Sequence, residues 1–172
     1  VQYNAVQAQT QSGESLSEFG KRIAEIVTSK KVDKVVIDLR HNVGGDNTTY
    51  GPFLDIISND KNLNQKGKLF AIIGRSTLSA AGNFVTELER KTKTIFVGEP
   101  TGGSPNQYGD SEVVKLPNSG LEIYVATRYW QKSDADDSRL SHDPHIRVAL
   151  SSSDFFGGHD PVMKAILSYQ ID

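Results

Sequence analysis

The stretch KLFAIIGRSTLSAAGNF, Lys68–Phe84, decides how the chain is put together. Its first part, Leu69 to Ile73, is a short unbroken apolar run, the pattern of a strand buried on both faces. Gly74 closes that run and three hydroxyl residues follow, Ser76, Thr77 and Ser79. From Ala80 to Lys91 the pattern changes to helical spacing, with Phe84, Val85 and Leu88 on one face. A doubly buried strand passing directly into a helix is half of a βαβ unit, and repetition of that unit builds a parallel sheet.

The unit recurs on both sides. Upstream, KVDKVVIDL (Lys31–Leu39) is a second apolar run rich in β-branched residues. The loop RHNVGGDNTT ends it, a helix is expected over Tyr50–Ser58, and NDKNLNQKGK is a polar connector. Before it, Leu16, Phe19, Ile23, Ile26 and Val27 mark an amphipathic helix from about Ser15 to Lys30. VQYNAVQAQ (Val1–Gln9) partly alternates and reads as an opening strand. Downstream, KTIFVGEP (Lys93–Pro100) is a third apolar strand, halted by Pro100. SEVVKLPNSGLEIYVATRYW reads as a hairpin turning at Pro117–Gly120. QKSDADDSRLSHDPH is polar, acidic and expected to be exposed; IRVAL is a last short strand; Asp160–Tyr169 is a closing helix with Pro161 in its first turn. The order β-α-β-α-β-α-β followed by a hairpin predicts an α/β fold with right-handed crossovers. At 172 residues this is one domain with a substantial core.

Composition narrows the function classes. The net charge of −2 gives no basic surface for nucleic acid or anionic lipid. No apolar run approaches the ~20 residues of a spanning helix, so membrane insertion is not expected. The absence of cysteine excludes disulfides, thiol catalysis and zinc–thiolate sites. Val1 opens on a strand without a leader, which reads as a mature chain or a domain excised from a longer one.

In open α/β sheets the working residues gather at the carboxyl ends of the strands. Three loops meet that condition: RHNVGGDN, RSTLSAAG and EPTGGSPN. A hydroxyl at a strand-to-helix junction stands at the positive end of a helix dipole, beside unpaired first-turn N–H groups that can hold an oxyanion. Ser79 therefore reads either as a plain helix cap or as a nucleophile. The paired glycines of NVGG, Gly44 and Gly45, can present consecutive N–H groups as an anion-binding nest, or can simply turn the chain. Asp38 and Arg40 suit a local ion pair shaping that loop, and His41 borders it. His142 and His145 with Asp143 lack a convincing ligand spacing, so neither metal nor organic cofactor is expected. His159 belongs to a helix entry, and Asp134, Asp136 and Asp137 read as solvated charges. Tyr129 and Trp130 read as hairpin packing.

Taken together, VVIDLRHNVGG, GRSTLSAAGNF and VGEPTGGSPNQYGD, continued by LPNSGLEIYVATRYW and DPHIRV, resemble the S41 serine peptidases. This is the group of C-terminal processing proteases, the tricorn core and interphotoreceptor retinoid-binding protein, and the tricorn-like or retinoid-protein-like branch fits best. The resemblance spans nearly the whole chain. It implies a ClpP/crotonase-like fold of stacked ββα units with a mainly parallel sheet. It implies Ser79 as nucleophile and an oxyanion hole built from the N–H of Ala80 and of Gly44 or Gly45.

Two departures qualify what it implies. The loop after GEPT holds Gly102, Gly103, Ser104 and Pro105, with no lysine, so the Ser-Lys dyad of the processing proteases is not expected. The histidine base of the tricorn-like branch precedes this region, and no histidine precedes His41. The base is therefore expected from an N-terminal region of the same protein, with Asp137, or failing that Asp136, as its orienting carboxylate. Gly82 also stands where many members carry a larger or acidic residue. The implied activity is hydrolysis of peptide bonds in an exported protein, with a peptide or protein substrate and the N-terminal domain as partners. A noncatalytic ligand-binding module on the same fold is the alternative. A crotonase-like acyl-CoA enzyme is the least favoured reading, since no basic patch awaits a CoA phosphate.

Overall fold

The computed structural model describes residues 1–171. Four parallel strands form its central sheet in the order β1-β2-β3-β6. They are β1 (Val35–Asp38), β2 (Leu69–Ile73), β3 (Ile95–Gly98) and β6 (Ile146–Arg147). β4 (Gln107–Lys115) and β5 (Glu122–Trp130) form the antiparallel hairpin. The mixed α/β architecture with a mainly parallel sheet is the one expected. β2 is central and buried at all five positions, which is why Leu69–Ile73 carries no polar residue.

The alternation of β2 divides the core between two faces. Leu69, Ala71 and Ile73 join a cluster with Phe53, Phe84 and Leu88 under α1 (Leu16–Ser29), α2 (Gly51–Asn59) and α3 (Ala80–Lys91). Phe70 and Ile72 face the other way, with Ile95 and Val97, against Val162 and Ile166. Those two residues lie on α5 (Pro161–Ser168), which follows the short α4 (Ser152–Gly157). Tyr3, Phe53 and Phe84 meet at the centre of the first cluster with ring centroids 5.6–6.0 Å apart. The helix starts follow local chemistry: Ser15 and Glu18 close a capping box on α1, and the Asp160 side chain accepts from the Met163 N–H to start α5.

Three sequence expectations change. Val1–Gln9 forms only isolated bridges, Gln2 to Asp38, Val6 to Gly45 and Gln9 to Ser15, so it borders β1 instead of adding a full strand. Lys31–Lys34 is not strand: Lys31 has φ of 49° and the chain turns there before entering β1. α4 was not expected; none of its six residues is buried, so it carries no apolar periodicity to read. Among the described residues no helix is long and apolar enough to cross a membrane.

Candidate active site

Ser79 holds the N-cap position of α3, yet its side chain caps nothing. Its backbone sits at φ 50°, ψ −126°. That region is costly for a residue with a Cβ, and observed strain of this kind clusters at functional sites. The side chain is exposed and its hydroxyl makes no hydrogen bond with any described residue. The capping explanation for this serine is thereby removed. The three hydroxyls of the loop divide sharply. Thr77 is fully buried, accepting from the Gly74 N–H at 3.0 Å and donating to the Leu39 carbonyl at 2.9 Å, so it ties the end of β2 to the end of β1. Ser76 is exposed on the opposite side of the turn, at the rim of a cleft shared with Arg40, His41 and Glu99.

The diglycine loop lies directly against Ser79. A Cβ placed on Gly44 would stand 2.7 Å from the Ser79 Cβ and 3.1 Å from the Ala80 nitrogen. Gly44 and Gly45 have φ of 114° and 143°, where a side chain is strained. The buried Asn42 builds this turn. Its Nδ2 donates to the Tyr3 carbonyl, its Oδ1 accepts from the Gly44 N–H at 3.0 Å, and its carbonyl accepts from the Leu78 N–H at 3.2 Å. The Gly44 N–H is thus already engaged by Asn42. The N–H groups of Gly45 and Ala80 have no hydrogen-bond partner among the described residues. Asp38 and Arg40 do pair as expected, at 3.0 Å, and Arg40 also reaches Asp160 at 2.8 Å.

The third loop forms the other wall. The Gly102 N–H donates to the Thr77 carbonyl at 3.2 Å, and a Cβ on Gly102 would strike the Arg75 carbonyl oxygen and the Leu78 side chain. Gln107, at the start of β4, donates from Nε2 to the Ser79 carbonyl at 3.0 Å and to Asn83 Oδ1 at 3.1 Å. Asn83 in turn donates to Asn47 Oδ1 at 2.8 Å. This Gln107–Asn83–Asn47 chain joins all three loops and was missed in the sequence. Three amides spaced across 60 residues carry no local pattern. The space beside Gly82 is closed by the same Gln107 amide, 3.2 Å from where a Cβ would sit.

Asp137 is not joined to this centre by any hydrogen bond. Its carboxylate accepts from Ser133 Oγ at 2.6 Å and from the Arg139 guanidinium at 2.8 Å, and both hold its pKa well below the usual carboxylate range. Arg139 also forks onto Glu89 with two contacts of 2.9 Å; this and the neighbouring His142 lower Glu89 to about 2. Asp136 is exposed. His142 corrects the expectation that its segment is wholly exposed: it is 1% accessible, with Nε2 2.8 Å from Thr86 Oγ1. His41 is exposed. His145 accepts the Phe96 N–H on Nδ1, and the His159 N–H donates to the Asp154 carbonyl between α4 and α5. None of the four histidines hydrogen-bonds Ser79. Among the described residues no group of three or more His, Cys, Asp or Glu could hold a metal ion. Trp130 lies beneath the Arg128 guanidinium at 3.9 Å, and Tyr129 pairs with Tyr108, both within the hairpin.

Solved structures that share this fold include proteases of the S41 group. A candidate peptidase from Parabacteroides merdae superposes with a TM-score of 0.65 at 19% identity, over 96% of this chain and 58% of that one. CPAF in its mature form, complexed with lactacystin, gives 0.62 at 13% identity over 96% and 50%. The photosystem II D1 C-terminal processing protease gives 0.57 at 17% identity over 86% and 41%. The chain thus spans about half the length of these relatives in fold. No family model matches its sequence, and no curated protein matches it.

Proposed function

We propose that this chain is the nucleophile-bearing domain of a serine peptidase of the S41 type. The observation that carries the reading is the Ser79 backbone at φ 50°, ψ −126° with an uncapped, exposed hydroxyl. In the proposed reaction Ser79 Oγ attacks the carbonyl carbon of a peptide bond while a general base takes its proton. The N–H groups of Ala80 and Gly45 hold the oxygen as it becomes an anion. The proton then passes to the leaving amine, the C–N bond breaks, and water releases the acyl group from Ser79.

Among the described residues no histidine or lysine hydrogen-bonds the Ser79 hydroxyl, and relatives in fold are about twice as long. Both points support a base delivered by a part of the protein outside these 172 residues. Asp137 as its orienting carboxylate requires release from Arg139. We infer an exported protein; the absence of cysteine is equally compatible with a cytosolic one.

The unpartnered Ser79 hydroxyl also favours a second reading, a ligand-binding module that has given up catalysis. A fluorophosphonate probe applied to the full-length protein separates the two. Covalent labelling lost in Ser79→Ala supports the peptidase. Absence of labelling in the unaltered protein, or labelling that survives Ser79→Ala, defeats it.

A further inference from the structure

His142 is the one histidine buried among the described residues, and its three hydrogen bonds lead toward Ser79 from two directions. Its backbone locks onto the third loop: the His142 N–H donates to Thr101 Oγ1 at 2.8 Å, and the Thr101 N–H donates to the His142 carbonyl at 3.1 Å. The next residue, Gly102, donates to the Thr77 carbonyl inside the Ser79 turn. The ring of His142 engages α3 through Thr86. The Thr86 hydroxyl gives its own hydrogen to the Gly82 carbonyl at 3.0 Å, in the first turn of the helix that Ser79 begins. Thr86 Oγ1 and His142 Nε2 thus form the single hydrogen bond that ties the ring to α3, with either atom able to supply the hydrogen. Nδ1 is left 3.6 Å from Glu89 Oε2, beyond hydrogen-bond length, and has no other partner. Glu89 lies one turn further along α3, gripped by Arg139.

We propose that His142 is a positioning residue for the proposed reaction, a strut that holds α3 and the third loop in fixed register around Ser79. The proposal rests on the peptidase reading for its catalytic consequence, but not for its hydrogen-bond geometry. The strut sets the place of the Ala80 N–H through Gly82 and the wall of the nucleophile turn through Thr101. Its loss displaces the oxyanion donor from the attacking oxygen without touching either.

The test uses the full-length protein and two pairs of variants. Thr86→Val removes the hydroxyl and leaves Nε2 buried without a partner, whereas Thr86→Ser keeps it. His142→Ala removes the ring nitrogen, whereas His142→Gln keeps a side-chain amide at the reach of Nε2. Thr86→Val and His142→Ala are expected to slow fluorophosphonate labelling of Ser79 by about tenfold, the scale of one buried hydrogen bond. kcat on a peptide substrate falls with KM unchanged, and amide exchange at Thr101 and Gly102 quickens. Thr86→Ser and His142→Gln restore all three. Variants that lower the melting temperature while labelling rate and Thr101 exchange stay unchanged overturn the strut. Failure of the peptidase reading looks different: the unaltered protein does not label at all, while the exchange pattern remains readable.

Discussion

At the scale of a single residue, Ser79 adopts a backbone shape that costs on the order of 1–3 kcal/mol, and nothing in its own side chain recovers that cost. Glycine tolerates the same dihedral angles without a Cβ clash. Ser79→Gly is therefore expected to raise the urea midpoint, by about 1 kcal/mol of stability, while abolishing fluorophosphonate labelling. An unchanged or lowered midpoint would mean the turn is not strained. Its neighbour Gly44 behaves in the opposite sense. Any side chain there meets Ser79 at 2.7 Å in a left-handed backbone, so Gly44→Ala is expected to displace Ser79 and cut labelling at least tenfold. Retained labelling in that variant would separate the two loops. Thr77 is the third case. Thr77→Val preserves shape but orphans the buried Gly74 N–H and leaves the Leu39 carbonyl with the Asn42 N–H alone, an expected loss of about 1–3 kcal/mol by chemical denaturation.

At the scale of elements, the parts read most clearly in the sequence are those whose periodicity is set by burial. α3 runs from Ala80 to Lys91 as its spacing predicts, because eight of its twelve residues are buried. β2 and β3 are apolar runs because the sheet is covered on both faces. The misread elements lack that imprint. α4 is held by local caps alone, the Ser151–Asp154 box at one end and left-handed Gly158 at the other. The N-terminal strand dissolves into bridges because its buried residues, Tyr3 and Val6, are three positions apart and do not share one face of a strand. α5 depends on a residue far away in sequence. Lys34 Nζ donates to the carbonyls of Ile166, Leu167 and Tyr169 at 2.8–2.9 Å, capping the helix C-terminus across more than 130 positions. Lys34→Met keeps the stem and removes the cation. It is expected to cost about 1 kcal/mol and to quicken amide exchange in the last turn of α5 while sparing α3. Uniform change in both helices would argue against a local cap.

At the scale of the whole molecule, the sequence exposes the three loops but not what binds them together. NVGG, the Ser79 turn and the Gly102 loop are legible because glycine and hydroxyl residues punctuate the ends of strands. Asn42, Asn83, Gln107 and His142 are not, because each works through partners between 24 and 56 positions away or through a backbone turn. The same blindness hides the cluster that secures the segment from Ser133 to His142. Read as solvated charge, it is a chain in which Arg139 bridges Asp137 and Glu89, while Glu89 lies against His142. This cluster sets how the molecule responds to acid. Glu89 is lowered from about 4.5 to about 2 by Arg139 and His142, and Asp137 is lowered further by Arg139 and Ser133. A carboxylate depressed in the folded state contributes stability that is fully present above its unfolded pKa and is lost as pH falls through the folded one. Stability is therefore expected to hold down to about pH 4.5 and to decline from there toward pH 2. Arg139→Met removes the guanidinium that both carboxylates share. It should flatten that decline and loosen the tether on His142, so that amide exchange at Thr101 rises even at neutral pH. Denaturation midpoints of the two proteins from pH 7 to pH 2 make the comparison, and parallel curves would show that the acid response arises elsewhere.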